Sequence, residues 1–440
     1  YFENAIINLA EQKFIAKDTK IDLSKDIFDN SENDPRLKGV SSISDSNTTI
    51  IKKGVFTSCK KNDDCPPWSI YAGEIKHNKM KKQLIYKDAV LKIYDLPVLY
   101  FPKFFHPDPS VKRQSGILQP EINSSNNLGN SVTLPYFKVI SNNKDLTLNP
   151  TLFDGNTSML TTEYRAINEK NKILADVGYV NGYKSTTTNK KSSLSHYFLD
   201  IDHDLQLEDF DSSDLKLSIK KVSNDTYLKV FDQHITKSSL RPENFDNLNS
   251  SLKLFLNHED FIFETGIQSF EDLQIENKSD RYQYNLPYYN YDKLVEQDYF
   301  NGTVDFNSSG NNYLSETNKL ETNIINNFIY NSADYVSDFG LKNNFSLSLK
   351  NLNSIGKKTS QYKSNPQMEI ASLFNVDFIM PLEKKSNNSN NMLIPKISFR
   401  FNPSDMKNYS SSENKINASN VFALNRLGLS DTLEAGKSIT

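Results

Sequence analysis

The sequence predicts an all-β protein, with short N-terminal strands of a jelly roll or solenoid followed by long strands that suit a transmembrane β-barrel better than a soluble all-β domain. Three observations carry that expectation. The aromatic content is strand-forming, with 22 Tyr and 27 Phe against a single Trp, and no segment sustains a helical period. From Gly116 onward, apolar and polar residues alternate in long runs. Several reach the roughly 9–11 residues needed to cross a bilayer at a tilt, where soluble strands average about 5–6. Polar stretches rich in Asn, Ser, Lys and Asp separate these runs.

Residues 1–100 read as short strands joined by turns. Trp68, Ile70 and Ala72 alternate with Ser69 and Tyr71, and Ala89, Leu91 and Ile93 alternate with Val90, Lys92 and Tyr94. A weak internal repeat aligns Tyr1–Ile7 with Ile85–Leu91, as stacked β-units would. Residues 101–115 carry Pro102, Pro107 and Pro109. These deny the backbone its donors, so the segment is expected to be a rigid connector. In the region 116–440, Leu146, Leu148 and Leu152 oppose Asp145, Thr147 and Thr151, and Ile370, Phe374 and Val376 oppose Glu369, Asn375 and Asp377. One face of each strand is apolar and the other polar, so Asp176, Lys172 and Asp377 are expected to face a polar barrel interior. Long outer loops are expected at 181–193, 231–250, 305–316, 350–366 and 383–392.

Charge and hydropathy exclude whole classes. With 51 Lys+Arg against 54 Asp+Glu, the formal net charge is -3, so nucleic acid is not an expected partner. The most apolar stretch, Leu84 to Phe105, is broken by Lys87, Asp88, Lys92, Asp95 and Lys103. No run approaches the roughly 20 apolar residues of a membrane helix. That leaves a β-barrel open, because its apolar residues sit at every second position. Cys59 and Cys65 are the only cysteines. They suggest a disulfide, either with each other or with cysteines beyond the segment. The chain starts on Tyr1 and stops at Thr440 inside a strand-like run, and is read as a fragment lacking both ends.

Catalytic signatures are not evident. There is no Gly-rich phosphate loop, G-x-S-x-G elbow or H-E-x-x-H pair. His196 and His203 read as polar strand-end residues, and Asp200, Asp202 and Asp204 as a solvated strand end or interior face. Neither metal nor cofactor is expected, and the chain is not expected to be an enzyme.

One family resemblance is specific. It is carried by Asn33–Gly39, Gly54–Cys59, Cys65–Trp68, Leu96–Pro102, His106–Pro109, Lys112–Pro120, Leu134–Phe137 and Asp145–Pro150. Asp280–Pro287 and Asn425–Glu434 add to it. In these segments the chain resembles the outer-membrane lipopolysaccharide-assembly family LptD (also OstA or Imp), in an alphaproteobacterial form. The resemblance implies an OstA-like periplasmic jelly roll (1–100), the connector (101–115) and the N-terminal part of a barrel of about 26 strands (116–440). It implies a location in the cell outer membrane with the N-terminal domain in the periplasm.

The same resemblance implies a lipopolysaccharide (LPS) translocon that inserts its substrate into the outer leaflet. Lipid A would pass through the jelly roll, past Ile70, Ala72, Ile75, Leu84, Leu91 and Ile93, and leave by a lateral barrel gate. Pro120 and Pro135 match the family's gate prolines, each removing one ladder donor. Cys59 matches the family's cysteine before the barrel, although Cys65 departs from the usual pattern and leaves the pairing open. Implied partners are LPS, an LptE-type lipoprotein plug, an LptA-type periplasmic bridge protein and outer-membrane lipids. A general or substrate-specific porin-like channel is the alternative, disfavoured by residues 1–115. A soluble carbohydrate-active enzyme would require an aromatic cleft with paired carboxylates.

Overall fold

The computed structural model describes the chain except residues 23–34, 60–66, 109–110, 112, 119, 185–190, 278, 298–300, 387–388 and 406–413. It divides into two units, the first comprising Tyr1–Gln119 with Pro135–Ile140 and the second Pro120–Leu134 with Ser141–Thr440. Two of the three boundaries fall immediately before Pro120 and Pro135, the prolines singled out by the sequence, and the third follows Ile140.

The first unit is built on one antiparallel sheet whose strands follow sequence order. These are β1 (Asn4–Asn8), β2 (Lys13–Asp22), β3 (Arg36–Ser44), β4 (Thr48–Thr57), β5 (Trp68–Asn78), β6 (Gln83–Ile93) and β7 (Leu96–Pro107). The strand β7 runs through residues 101–107, so the sheet takes in the first half of the expected connector. Pro97, Pro102 and Pro107 are tolerated there because, among the described residues, β7 has a ladder partner only in β6. The short β8 (Gly116–Ile117) follows.

A crease crosses this sheet. At Asp18/Val40, Val40/Lys53 (with Gly39/Gly54), Lys53/Gly73, Gly73/Asp88 and Asp88/Pro102 the ladder is skipped while the register on either side continues. Asp18, Lys53 and Asp88 are left-handed there, with φ of 48°, 46° and 53°. Each turns its strand so that residues on both sides of it point inward: Ala16 with Thr19, Ile51 with Gly54, Tyr86 with Ala89. The three stand 35 residues apart in sequence, each preceded by a lysine (Lys17, Lys52, Lys87). The repeat is therefore two strands long, and Leu84–Leu91 corresponds to Phe14–Ile21. The alignment of Tyr1–Ile7 with Ile85–Leu91 does not hold, because the uncreased β1 begins at Asn4.

The second unit is a wall of antiparallel strands: β9 (Glu121–Ser125), β10 (Gly129–Thr133), then, past the first unit's β11 (Tyr136–Ser141), β12 (Lys144–Phe153), β13 (Ser158–Ile167), β14 (Asn171–Lys184), β15 (Lys191–Asp204) and β16 (Ser212–Val222). Two one-turn helices, α1 (Tyr227–Val230) and α2 (Asp232–Ile235), interrupt it. It continues with β17 (Asn247–Asn257), β18 (Phe261–Asp272), β19 (Tyr282–Gln297), β20 (Gly302–Ser315), β21 (Lys319–Ser332), the short β22 (Tyr335–Val336), β23 (Lys342–Lys357) and β24 (Gln367–Ile379). A separate hairpin of β25 (Leu382–Ser386) and β26 (Ser389–Leu393) precedes β27 (Lys396–Asn402) and β28 (Gly436–Ile439). Each wall strand pairs with its sequence neighbours, β10 with β12 across the intervening segment and β21 with β23. Residues 305–316, expected as a loop, are β20 and its turn. Their Asn and Ser content reads as loop, but every second residue from Val304 to Leu314 shares a face that fits a wall.

The central cluster of the first unit sets a stability expectation. A Cβ on Gly54 would lie 2.4 Å from Ile75 Cδ1, whereas one on Gly73 would meet nothing nearer than 3.7 Å. Trp68 packs on Phe56, ring centroids 5.9 Å apart, so the sole tryptophan reports on this unit. Gly54→Val is expected to lower the denaturant midpoint of Trp68 fluorescence by about 1–3 kcal/mol equivalent, while Gly73→Ala leaves it nearly unchanged.

Candidate functional site

Two surfaces carry the chemistry, one in each unit. In the first unit the crease folds the inner face into a trough. Its apolar part comprises Leu37, Ile51, Phe56, Ile70, Ala72, Ile75, Leu84, Tyr86 and Ala89, with Ile21, Trp68, Leu91 and Phe104 half-buried along it. Towards β2 and β3 the inward residues become small and polar, and pair with one another: Thr19 Oγ1 with Ser42 Oγ at 2.7 Å, Ser44 Oγ with Thr49 Oγ1 at 2.7 Å.

Of the expected lining residues, Ile70, Ala72, Ile75 and Leu84 are buried in the cluster and Leu91 packs against it. Ile93 is 45% exposed at the end of β6 and takes no part. Alternation alone pointed to it, because Ala89, Leu91 and Ile93 share a face; the end of the strand lies beyond the packed region. Leu37, Ile51, Phe56 and Tyr86 went unrecognised, since the crease shifts the inward phase within each strand.

A polar pair is set into this apolar face. His106 Nδ1 donates to Pro107 O at 2.6 Å, which leaves Nε2 to accept from the Tyr86 hydroxyl at 2.6 Å. Burial pushes His106 below its ordinary 6.5 and Tyr86 well above 10, so both are neutral. Outside the trough, Glu74 of β5 receives Lys52 and Lys87 from the flanking strands. The two ammonium groups hold its carboxyl at about 2. Cys59 lies just past β4, with its carbonyl taken by Arg36 and its Sγ 3.7 Å from Trp68 O. Cys65 lies outside the described residues, and with it any Cys59–Cys65 pairing.

Pro120 and Pro135 are not inside strands. Pro120 is exposed between β8 and β9, and Pro135 is buried between β10 and β11. Within the first unit, β8 pairs with β11 through Ile117↔Tyr136 and Gly116↔Phe137, and Leu118 N donates to Pro135 O at 2.8 Å. Within the second, β9 pairs with β10 from Gly129↔Ser125 to Thr133↔Glu121. Pro120 follows β8 and Pro135 follows β10 in the chain, and neither can donate to a ladder.

The second unit's wall has two contrasting faces. One exposes Leu152, Val177, Tyr197, Ile267, Phe328, Leu349, Ile370 and Phe374. The opposite face carries charge in pairs: Asp145 with Arg165 at 2.8 Å, Asp200 with Lys220 at 3.0 Å, Lys253 with Glu264 at 3.0 Å, Asp377 with Lys396 at 2.8 Å. Asp176 and Asp377 lie buried on this face, as the alternation predicts.

Two long connections fold onto the charged face, and both leave the wall at the same end. The segment between β16 and β17 sets Tyr227, Leu228, Phe231 and Ile235 against Phe153, Met159, Val180, Leu194 and Phe198. Its anchor is His196, wholly buried, with Nδ1 2.9 Å from Tyr227 OH and Nε2 3.2 Å from Asp176 Oδ1. Gly178 makes room, since a Cβ there would lie 2.3 Å from the imidazole. His196 is thus the seat of this connection rather than a strand-end residue. The segment between β27 and β28 is held by its backbone: Lys350 Nζ donates to Ser430 O at 2.8 Å, Arg400 to Ala423 O and Leu424 O, and Asn402 to Leu433 O and Glu434 O. Arg426 grips Glu434 with two bonds of 2.6 Å. The Asn425–Glu434 motif therefore forms a self-clasped loop on the inner wall. Among the described residues, no three His, Cys, Asp or Glu side chains are grouped to hold a metal ion.

The architecture belongs to the all-β class in which a jelly-roll-like sheet precedes a barrel-type wall. The sequence comparisons find relatives that share one name. Over 184 residues the chain is 30% identical to the LPS-assembly protein LptD of Idiomarina loihiensis, covering 41% of this chain and 23% of that protein. The LptD of Pseudoalteromonas translucida is 32% identical over 31% of this chain and 18% of its own length. That of Cupriavidus necator is 25% identical over 60% of this chain and 32% of its own. The chain is a relative of the LPS-assembly protein LptD, and these matches span a third or less of the relatives' length. No family model matches it.

The His106–Tyr86 pair predicts a pH effect. A folded-state pKa below 6.5 means that the unfolded chain takes up a proton that the folded chain refuses. Stability is therefore present above pH 6.5 and falls as the pH drops from 6.5 towards the lowered value. The Trp68 unfolding midpoint is expected to decline over that window, and less steeply in His106→Gln.

Proposed function

We propose that the chain forms part of an LPS translocon of the cell outer membrane, with its first unit in the periplasm. The observation that supports this best is the joining of a creased apolar trough and an apolar-out, charged-in wall in a relative of proteins named for LPS assembly. Acyl chains need shelter from water while the saccharide stays wet, and the trough offers that division. Ile70, Ala72, Ile75 and Leu84 touch one another, so an acyl chain would run along the half-buried rim at Trp68, Leu91 and Phe104 or part the cluster. The saccharide would travel along the charged face of the wall, where the two inward connections narrow the path. Lipid would leave sideways where Pro120 and Pro135 interrupt the strand pair and weaken the seam.

The partners in this reading are an LptE-type lipoprotein against the wall's inner face and an LptA-type protein adding a strand to the first sheet. Cys59 would join the first unit to a cysteine elsewhere, Cys65 being the local candidate. The role requires no bond-making chemistry. A plain channel is less suited, because two connections packed on the inner face obstruct free flow.

The test places a photo-cross-linking residue at Leu91, with Lys92 as control; Lys92 lies over the Tyr71 ring, 4.0 Å from its centroid, on the other side of the sheet. In cells carrying the complete gene, irradiation is expected to attach LPS at position 91 and not at 92. Absence of an adduct at both positions, with the protein in the outer membrane, would contradict the trough assignment.

A further inference from the structure

The wall is not closed evenly. The strands β16 and β17 are paired from Ser212↔Asn257 to Ser218↔Ser251, although β16 runs on to Val222 and β17 starts at Asn247. Beyond that pair β16 stays with β15, up to His196↔Val222, and β17 stays with β18, up to Asn247↔Asp272. Ser250 spans the gap, its Oγ accepting from the Lys220 amide at 2.9 Å. At the β18–β19 seam, Leu286 and Pro287 stand against the single Ile267, a bulge that bends β19.

Between these two irregularities lies a groove of about 310 Å3, lined by Leu217, Ile219, Leu252, Ile267, Tyr284 and Leu286. Ser250 and Ser269, which pair across β17 and β18, also line it and are too small to fill it. Ile219, Leu252, Ile267 and Leu286 are 36–44% exposed on the apolar face of the wall.

Register fixes the depth of the groove. Ile219, Ser250 and Ser269 each stand three residues from the end of their strand where the two long connections leave. One row nearer that end, Lys221 donates to Glu271 at 3.0 Å and Tyr282 OH to Glu271 at 2.9 Å. These groups satisfy one another, so the row marks where the apolar zone stops. Towards the other end, the same face of β18 sets Phe263 against Tyr291, as the aromatic girdle of a barrel would. The groove runs from the middle of this zone, at Ile267, towards Glu271. Longer connections mark the external side of an outer-membrane wall, so the groove lies at the depth of the outer leaflet's acyl chains.

The chemistry of the groove selects its occupant. A strand from another chain would need free ladder groups, and the Lys220 amide is already taken by Ser250. In lipid, packing contacts rather than expulsion of water decide association, and an unfilled groove forfeits them. A flexible hydrocarbon chain can follow an apolar groove between two bent seams.

We propose that this groove seats an acyl chain of a glycolipid in the outer leaflet, on the lipid-facing side of β16 to β19. The inference rests on the membrane reading above and adds a station for the delivered lipid outside the transport path. A glycolipid is the occupant because the groove lies in the leaflet to which the proposed translocon delivers LPS.

The test uses the full-length protein in cells, with a photo-cross-linker at Ile219 and, for comparison, at Ile370. Both isoleucines stand three residues from the same end of the wall, and Ile370, 63% exposed, does not line the groove. LPS adducts at 219 are expected to exceed those at 370. Ser269→Phe fills the groove and should lower the yield at 219 about tenfold, the scale of roughly ten lost carbon–carbon contacts, with 370 unchanged. The variant keeps its heat-resistant migration, because phenylalanine suits a lipid-facing position. Equal yields at the two positions would describe bulk lipid and overturn the proposal. Phospholipid alone at 219, or a discrete protein adduct there, would overturn it too. Depleting the wild-type protein reads the translocon role separately: if surface LPS persists, that role fails, whereas equal yields at 219 and 370 remove only the groove.

Discussion

The structure depends on antiparallel pairing between sequence neighbours. Every strand that meets its neighbour this way closes its backbone hydrogen bonds locally, so side chains are left to decide only which face meets which medium. In the wall that decision is strict. Leu349 and Phe374 sit on one face, Lys350 and Asn375 on the other, and a slip of one residue would put charge where apolar residues belong. In the first unit the same pairing is broken at the crease in each strand from β2 to β7, which turns a flat sheet into a trough without interrupting its register.

Close approach of backbone and side chain does the finer positioning. Gly178 lets the His196 ring lie flat against the wall, and through Tyr227 this seats a connection that would otherwise extend away from the strands. Further along the strand order, Lys350, Arg400 and Asn402 hold the second connection by its carbonyl oxygens, so its side chains are free to form the Arg426–Glu434 clasp. Both arrangements use polar residues of the inner face as partners for a loop. The inner face therefore has two uses: it offers a charged path and it anchors what narrows that path.

Much of this was legible in the sequence, and the exceptions have physical causes. Alternation placed Asp176, Lys172 and Asp377 on one face, because period two is fixed by strand geometry. It misplaced Ile93, since a shared face says nothing about where packing ends. It missed Ile51 and Tyr86, because a left-handed residue reverses the inward phase without any mark in composition. The lysine-led 35-residue spacing of Asp18, Lys53 and Asp88 was the available signal. The role of His196 could not be read, because its partners Asp176 and Tyr227 are 20 and 31 residues away. The segment 305–316 looked like a loop because its polar residues hide a wall strand whose apolar face is partly amide.

The most direct test of the two-faced wall is a spin-label scan along β23 in a bilayer, reading collision with oxygen against a water-soluble nickel complex. Labels at Phe345, Leu347 and Leu349 are expected to favour oxygen, and those at Ser346, Ser348 and Lys350 to be shielded from it, with a period of two. Uniform access of the nickel complex at all six positions, or the opposite phase, would contradict a wall with lipid on one side and a polar interior on the other.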